Sequence, residues 1–293
     1  MVPPFPFSPA TSNLIDLAIQ EDLFAGDVTS DAIFTTNERT QGAFVAKQEL
    51  VVCGIDVVNE VYRRVDSSIK TEWLVEDGTR VGRGTIAISY GRCRSLLRAE
   101  RVALNFLRHL SGIATMTHTY VDALGGPNGP RLLDTRKTTP GFREIEKYAV
   151  RCGGGYNHRF NLGSGAMIKD NHVEAAGSIT LAVRKVREEL AWLNKIEVEV
   201  SNFDELEEAI KAGADVILLD NMTTPQMIEA IRIADGRVVL EASGNITLAR
   251  LPELSSIGLH AVSSGALTHS APNVDISYLF GSVADHAPIL AKP

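Results

Sequence analysis

KIEVEVSNFDELEEAIKAGADVILLDNM, residues 195–222, is the stretch whose reading decides the fold. Residues 195–200 alternate apolar and charged with a period of two, as a strand does, while 203–212 carry the spacing of an amphipathic helix. Residues 215–219 are a short apolar run, so the order is strand, loop, helix, strand. A crossover of this length joins parallel strands. The rhythm extends both ways. Further apolar runs stand at 132–133, 166–168, 237–242 and 260–263, with amphipathic segments at 179–190 and 225–234 between them. That makes six parallel strands, short of the eight of a complete (β/α)₈ barrel. An open doubly wound sheet is the competing arrangement. No G-x-G-x-x-G opens the first βα turn and polar residues close nearly every strand, which favours an incomplete, six-stranded α/β barrel.

The polar strand ends are LLDTRK, MIKDN, EVEVS, ILLDN, LEASGN and VSSG, in chain order. Barrel active sites occupy that C-terminal face. Singly, each residue has a plainer reading as a cap of the next helix, and for Asn221, followed by Thr223 and Thr224, capping is the expectation. In 195–200 the alternation sets Ile196, Val198 and Val200 on one face and Glu197 and Glu199 on the other. A carboxylate pair turned into a barrel requires a partner, with Lys169 and a divalent metal as candidates, unless Glu197 faces solvent from an edge strand. Which of the two glutamates meets a ligand stays open.

N-terminal to the repeats the pattern differs. After a proline-rich arm, 13–21 reads as a helix behind the possible caps Thr11 and Ser12. Strands follow at 42–47, 69–75 and 85–90, with a helix at 55–65, and a long helix spans 95–124 with Arg101 off its apolar stripe. GGPNGP at 125–130 ends it. The expected organisation is an α/β sandwich domain at 1–112, joined by the C-terminal segment 270–293, and a barrel at 113–269. VEDGTRVGRGTIAI at 75–88 has the turn spacing of a biotinyl or lipoyl carrier, but no lysine stands at the hairpin tip, so it reads as part of the sandwich.

Composition excludes several classes. The chain has 293 residues, 44% of them hydrophobic, enough for a substantial core. No apolar run approaches the ~20 residues of a membrane span, and the N-terminus has neither the basic nor the apolar region of a secretory signal. The three cysteines, Cys53, Cys93 and Cys152, form no zinc-ligand spacing and read as free thiols of a reducing, cytoplasmic compartment. A formal charge of −7 and the lack of a basic run argue against nucleic acid as a partner. Between Arg131 and His172, however, eight cations (Arg131, Arg136, Lys137, Arg143, Lys147, Arg151, Arg159, Lys169) face four acids, net +4, which leaves −11 elsewhere. The whole segment 133–171 therefore reads as one anion-binding centre.

Two Gly-containing loops reinforce this. Ser243-Gly244-Asn245 and Ser263-Ser264-Gly265 each follow a strand and precede a helix, where free backbone N–H groups favour phosphate. Barrels often hold phosphate after their last two strands. Gly153-Gly154-Gly155 lacks phosphate-loop spacing and is weaker evidence.

Taken together, DTRKTTPGFREIEKYAVRCGGGYNHRFNL at 134–162, MIKDNHV at 167–173, LLDNM at 218–222, EASGNIT at 241–247 and SSGALTHSAP at 263–272 resemble the quinolinate phosphoribosyltransferases. EDLFAGDVTS at 21–30 and ERVALNFL at 100–107 extend the likeness over most of the chain. The resemblance implies transfer from 5-phosphoribosyl 1-diphosphate to quinolinate, giving nicotinate mononucleotide, diphosphate and CO₂ with Mg²⁺, on the de novo route to NAD. It implies a sandwich joined to an incomplete barrel, working as a homodimer. By position it assigns Thr135, Arg136, Lys137, His158, Arg159 and Lys169 to the site, with Arg101 reaching in from the neighbouring subunit. Glu199 and Asp220 correspond to the acidic positions that meet ribose hydroxyls or Mg²⁺, and the two serine-glycine loops to the 5′-phosphate binders.

The chemistry makes the same demands. Quinolinate has two adjacent carboxylates and its co-substrate a phosphate and a diphosphate, so several fixed cations must converge. The ring nitrogen attacks the anomeric carbon as diphosphate departs, and no protein nucleophile is required. Lys137, Lys169, Glu199 and Asp220 are the candidate catalytic residues. A Schiff-base aldolase would also place a lysine such as Lys169 at a strand end, but leaves Arg136, Lys137 and Arg159 unexplained. A phosphoribosyltransferase of the same fold acting on another acid, such as nicotinate, is the nearer alternative.

Overall fold

The computed structural model describes residues 2–281. In chain order its elements are α1 (Pro9–Leu23), α2 (Val28–Ile33), β1 (Arg39–Ala46), β2 (Leu50–Val51), α3 (Ile55–Val65), β3 (Lys70–Trp73), β4 (Arg80–Val81), β5 (Gly84–Arg92) and α4 (Cys93–Ala123). Then come β6 (Arg131–Leu133), α5 (Arg143–Cys152), β7 (Ala166–Ile168), α6 (Asp170–Ala176), α7 (Ile179–Glu189), β8 (Ile196–Val200), α8 (Phe203–Ala212), β9 (Val216–Asp220), α9 (Thr224–Ala234), β10 (Val239–Ser243), β11 (Ala261–Ser263) and β12 (Ile276–Phe280). Among the described residues no helix is long and apolar enough to cross a membrane.

Two compact units divide them. The first runs to His118, takes in Thr138–Gly154 and resumes at Leu267; the second is Thr119–Lys137 with Gly155–Ala266.

The first unit is built on an antiparallel sheet ordered β12-β1-β5-β3. β12 pairs along β1 from Gly42↔Phe280 to Ala46↔Ile276, so the C-terminal part of the chain completes this sheet. The last part of the expected joining segment, 282–293, lies outside the described residues. α3 buries Val57, Val58, Val61 and Tyr62, a 3–4 spacing that puts one apolar stripe into the core. Two starts differ from the sequence expectation. The N-cap of α1 is Ser8, whose hydroxyl accepts the Thr11 N–H at 3.3 Å, while Thr11 itself is buried in the first turn. Pro9 at the first helical position explains the shift, since it needs no hydrogen-bond acceptor there. α2 has no counterpart in the sequence reading and is capped by Asp27, which accepts the Ser30 N–H at 3.0 Å.

The second unit holds six parallel strands ordered β6-β11-β10-β9-β8-β7. This is the order of a barrel whose first and second strands are left unpaired with each other, so β6 and β7 are the two edges of an open seam. β8 lies inside the sheet, and Ile196, Val198 and Val200 are buried to 1% exposure or less. α8 shows why these connections form as written. Asn202 caps it by accepting the Glu205 N–H at 3.0 Å, Leu206 and Ala209 are buried, and Gly213 ends it in the left-handed conformation.

One expectation is corrected here. The stretch 133–171 is not one anion-binding segment, because residues 138–154, including α5, belong to the first unit. α5 buries Ile145, Tyr148, Ala149, Val150 and Cys152, and even its charged Glu146 and Lys147 are 0% and 2% exposed. Glu146 is satisfied by His109 Nε2 at 2.9 Å and the Thr139 N–H at 3.1 Å. Lys147, counted from sequence among the anion-binding cations, is therefore a core residue of the first unit, and Arg143 and Arg151 lie on the same helix.

Candidate active site

Asp134, directly after β6, organises the site. It is fully buried, and its carboxylate accepts the Asn157 Nδ2–H at 2.6 Å and the His158 N–H at 2.9 Å. Tyr156 lies along the free edge of β6, donating its N–H to Leu132 at 2.8 Å and accepting that of Asp134 at 3.1 Å. The run after the three glycines thus closes over the seam, and the other edge is met where Arg159 Nη1 donates to the carbonyl of Gly165, just ahead of β7, at 3.1 Å. Sequence reading places Asp134 at a polar strand end and among the opposing charges, without a role of its own. Its position, one residue beyond a strand and next to TRK, was the available signal.

At the C-terminal ends of the strands a cleft of about 640 Å³ brings together Thr135, Arg136, Lys137, His158, Arg159, Lys169, Glu199 and Asp220. They come from β6, the seam segment, β7, β8 and β9, so convergence is a property of the sheet. The Thr135 hydroxyl accepts the Lys137 N–H at 3.0 Å, which turns the TRK backbone back on itself. Burial and the neighbouring Arg136 weaken the hold of Arg159 on its proton, with Glu197 opposing them. Lys169 makes an ion pair with Glu199.

The glutamates separate cleanly. Glu199 lines the cleft, whereas Glu197, one layer deeper and 7% exposed, meets His158 Nε2 at 2.9 Å. Glu197 faces the interior from a central strand, so the solvent-facing reading is excluded. Glu241 of β10 is also buried, lines the cleft and stands 3.7 Å from the same imidazole nitrogen. Neither Glu241 nor Asn221 was singled out for the site from sequence.

Asn221 does not cap α9, which is capped by Thr223 in a reciprocal pair with Gln226. Instead its Nδ2 donates to Asp220 at 2.8 Å and its Oδ1 accepts from Asn245 Nδ2 at 2.9 Å. Its backbone is left-handed (φ 54°), as are those of Gly244 (82°) and Asn245 (52°). A Cβ at Gly244 would lie 2.2 Å from Asn221 Oδ1, so only glycine fits beside it. Ser243, Gly244, Asn245 and Ser263 line the cleft. Ser264 and Gly265 are not on its wall; the Ser264 N–H is committed to the Leu133 carbonyl at 3.0 Å. Arg101 is exposed on α4 in the first unit and does not line the cleft.

The pattern described as quinolinate phosphoribosyl transferase, C-terminal domain, matches residues 113–278, and that of the N-terminal domain matches 27–111. The chain belongs to the quinolinate phosphoribosyltransferase family. A probable nicotinate-nucleotide pyrophosphorylase (carboxylating) of Bacillus subtilis is 43% identical over 258 residues, 88% of this chain and 89% of that protein. One of the same description from Synechocystis is 42% identical over 263 residues, covering 88% of each. The crystal structure of NadC from Streptococcus pyogenes superposes with a TM-score of 0.89 at 40% identity, covering 94% of this chain and 99% of that one. The mixed α/β architecture, a small N-terminal sheet and a six-stranded parallel sheet, is thus that of the family.

Proposed function

We propose that this protein transfers the 5-phosphoribosyl group from its diphosphate to the ring nitrogen of quinolinate and releases CO₂, yielding nicotinate mononucleotide for NAD biosynthesis. The observation that carries this is the convergence of Arg136, Lys137, Arg159 and Lys169 on one cleft that also presents Glu199 and Asp220. A dicarboxylate matches the paired guanidinium groups bidentately, and the lysines suit diphosphate as point charges. In this reading Glu199 and Asp220 hold ribose hydroxyls while positive charge develops at the anomeric carbon. Fixed charges of this kind in a restricted cleft supply several kcal/mol of transition-state stabilisation.

Mg²⁺ fits the donor set. Glu199 and Asp220 end neighbouring strands and offer hard oxygen ligands, the number that this ion takes from protein when substrate phosphates supply the rest. When bound it neutralises charge on the departing diphosphate. A homodimer is supported by Phe24, Val28 and Ile33, large apolar side chains that are 85%, 82% and 64% exposed in and beside α2. In that dimer Arg101 completes the neighbouring site. The buried free thiols Cys53, Cys93 and Cys152 support a cytoplasmic location.

Incubation with quinolinate, 5-phosphoribosyl 1-diphosphate and Mg²⁺ tests the reading, with nicotinate mononucleotide and CO₂ as the expected products. Turnover of nicotinate in place of quinolinate refutes it.

A further inference from the structure

Beneath the cleft the barrel has a second opening. A cavity of about 710 Å³ is bounded by residues that begin the strands, among them Arg131, Ala166, Val216 and Val239. It shares three residues, His158, Arg159 and Glu241, with the cleft above. The residues common to the two spaces are therefore all ionisable.

The His158 ring is oriented by its own backbone. Nδ1 accepts the Arg159 N–H at 2.7 Å, so Nε2 carries the hydrogen and donates to Glu197 at 2.9 Å. In that tautomer Nε2 has no lone pair for a cation, which argues against reading the cluster as a metal site. Glu197 Oε1 and Glu241 Oε1 are buried and take no hydrogen bond. One buried carboxylate is answered by the imidazole N–H; a second is not. The economical state of the cluster is one carboxylate and one carboxylic acid, and Glu241 is the acid: burial, then the charge of Glu197, push it up to about 7, against the lowering influence of His158 and Ser263.

The reaction needs such a group. Loss of CO₂ from the pyridinium ring leaves an electron pair on C2, and a proton must replace the carboxylate. Resting on the reading above, we propose that the Glu241 carboxyl group is the acid that supplies this proton, and that the second cavity is its route back to solvent. The bond between C2 and the carboxylate carbon breaks, the electron pair stays on C2 beside the positive nitrogen, and CO₂ leaves. The pair takes the proton of Glu241 as CO₂ departs, before the bond can re-form, so this proton transfer governs the rate of CO₂ release, and the Glu241 carboxylate is reprotonated from solvent in the lower cavity. Glu197 is a positioning residue that acts through its charge on Glu241. The groups facing Glu241 are Glu197 from β8, His158 from the seam segment and the Ser263 hydroxyl from β11, with Leu218 of β9 at the paired position; Arg159 lines the same two spaces.

The test separates transfer from decarboxylation in single-turnover reactions with quinolinate labelled in its 2-carboxylate, following diphosphate, labelled CO₂ and the nucleotides by mass. In Glu241→Gln, CO₂ release slows relative to diphosphate release by about a hundredfold, the size of a general-acid contribution, and quinolinate mononucleotide accumulates. In the wild-type enzyme the rate of CO₂ release relative to diphosphate falls as pH rises through about 7, where Glu241 loses its proton. Glu197→Gln moves that midpoint downward, a change that a merely structural role does not produce. Equal slowing of both products in Glu241→Gln, or a flat wild-type ratio from about pH 6 to 9, overturns the proposal. The wild-type profile decides even if the variant does not fold. Failure of the wild-type enzyme to make diphosphate from quinolinate removes the substrate reading itself and the proposal with it.

Discussion

Arg136 and Arg159 are held where their charges repel, and a bound dianion would relieve that repulsion, as the proposed dicarboxylate site requires. Burial and the charge of Arg136 both disfavour the charged form of Arg159. A dicarboxylate relieves both penalties, so removing either guanidinium costs a charge-assisted bidentate contact of roughly 1.5–3 kcal/mol. Steady-state kinetics should show KM for quinolinate rising by about tenfold or more in Arg136→Ala and Arg159→Ala. Arg187→Ala, which loses an exposed pair with Asp215 and a hydrogen bond to the Gly213 carbonyl, both away from the cleft, should stay within about twofold. Equal effects at all three positions refute the assignment. Glu241 gives a second test at this scale, now of stability. Its native pKa, about 7, lies above the usual glutamate value of 4.5, so the native state binds the extra proton more tightly than the unfolded chain. The group carries no penalty below pH 4.5; the penalty grows as pH rises through about 7 and is complete above it. The melting temperature of Glu241→Gln, compared with wild type, should therefore rise between pH 5 and pH 8; a constant difference contradicts the buried acid.

At the scale of elements, the turn after β10 is constrained by its neighbour more than by its own sequence. Gly244 at φ 82° faces Asn221 Oδ1 so closely that a methyl group displaces the amide that also holds Asp220 and Asn245. Gly244→Ala adds a left-handed backbone cost of about 1–2 kcal/mol. KM for the phosphoribosyl donor should rise more than KM for quinolinate, and the reverse order counts against a phosphate role for this loop. Sequence spacing made the six strands and helices such as α8 legible, because hydrophobic period, caps and glycine stops agree there. It did not show α5. Glu146 and Lys147 are buried there, so the polar positions that ordinarily mark a solvated face are part of the core. Asn221 was hidden for a related reason. An asparagine before two threonines looks like a cap, and only the left-handed turn of the following strand's loop, brought alongside by the parallel register, gives it another use.

For the whole molecule, the cleft of the second unit supplies cations, carboxylates and a phosphate-type loop, but not Arg101, which is exposed on α4 of the first unit. The proposed homodimer makes a sharp prediction about this residue. Arg101→Ala and Lys169→Ala should each abolish most activity, because each site then lacks one cation. If Arg101 serves the partner's cleft, a mixed dimer of the two variants contains one site with both residues intact and one site with neither. Random reassociation makes half of all dimers mixed, so about a quarter of wild-type activity should return in a C₂ assembly. If Arg101 serves the cleft of its own chain, every site in every combination lacks one cation, and mixing restores nothing. Light scattering of the purified mixture fixes the assembly state, and exchange is followed with one variant carrying a mass tag. Recovery without exchange, or exchange without recovery, rules out a site shared between subunits.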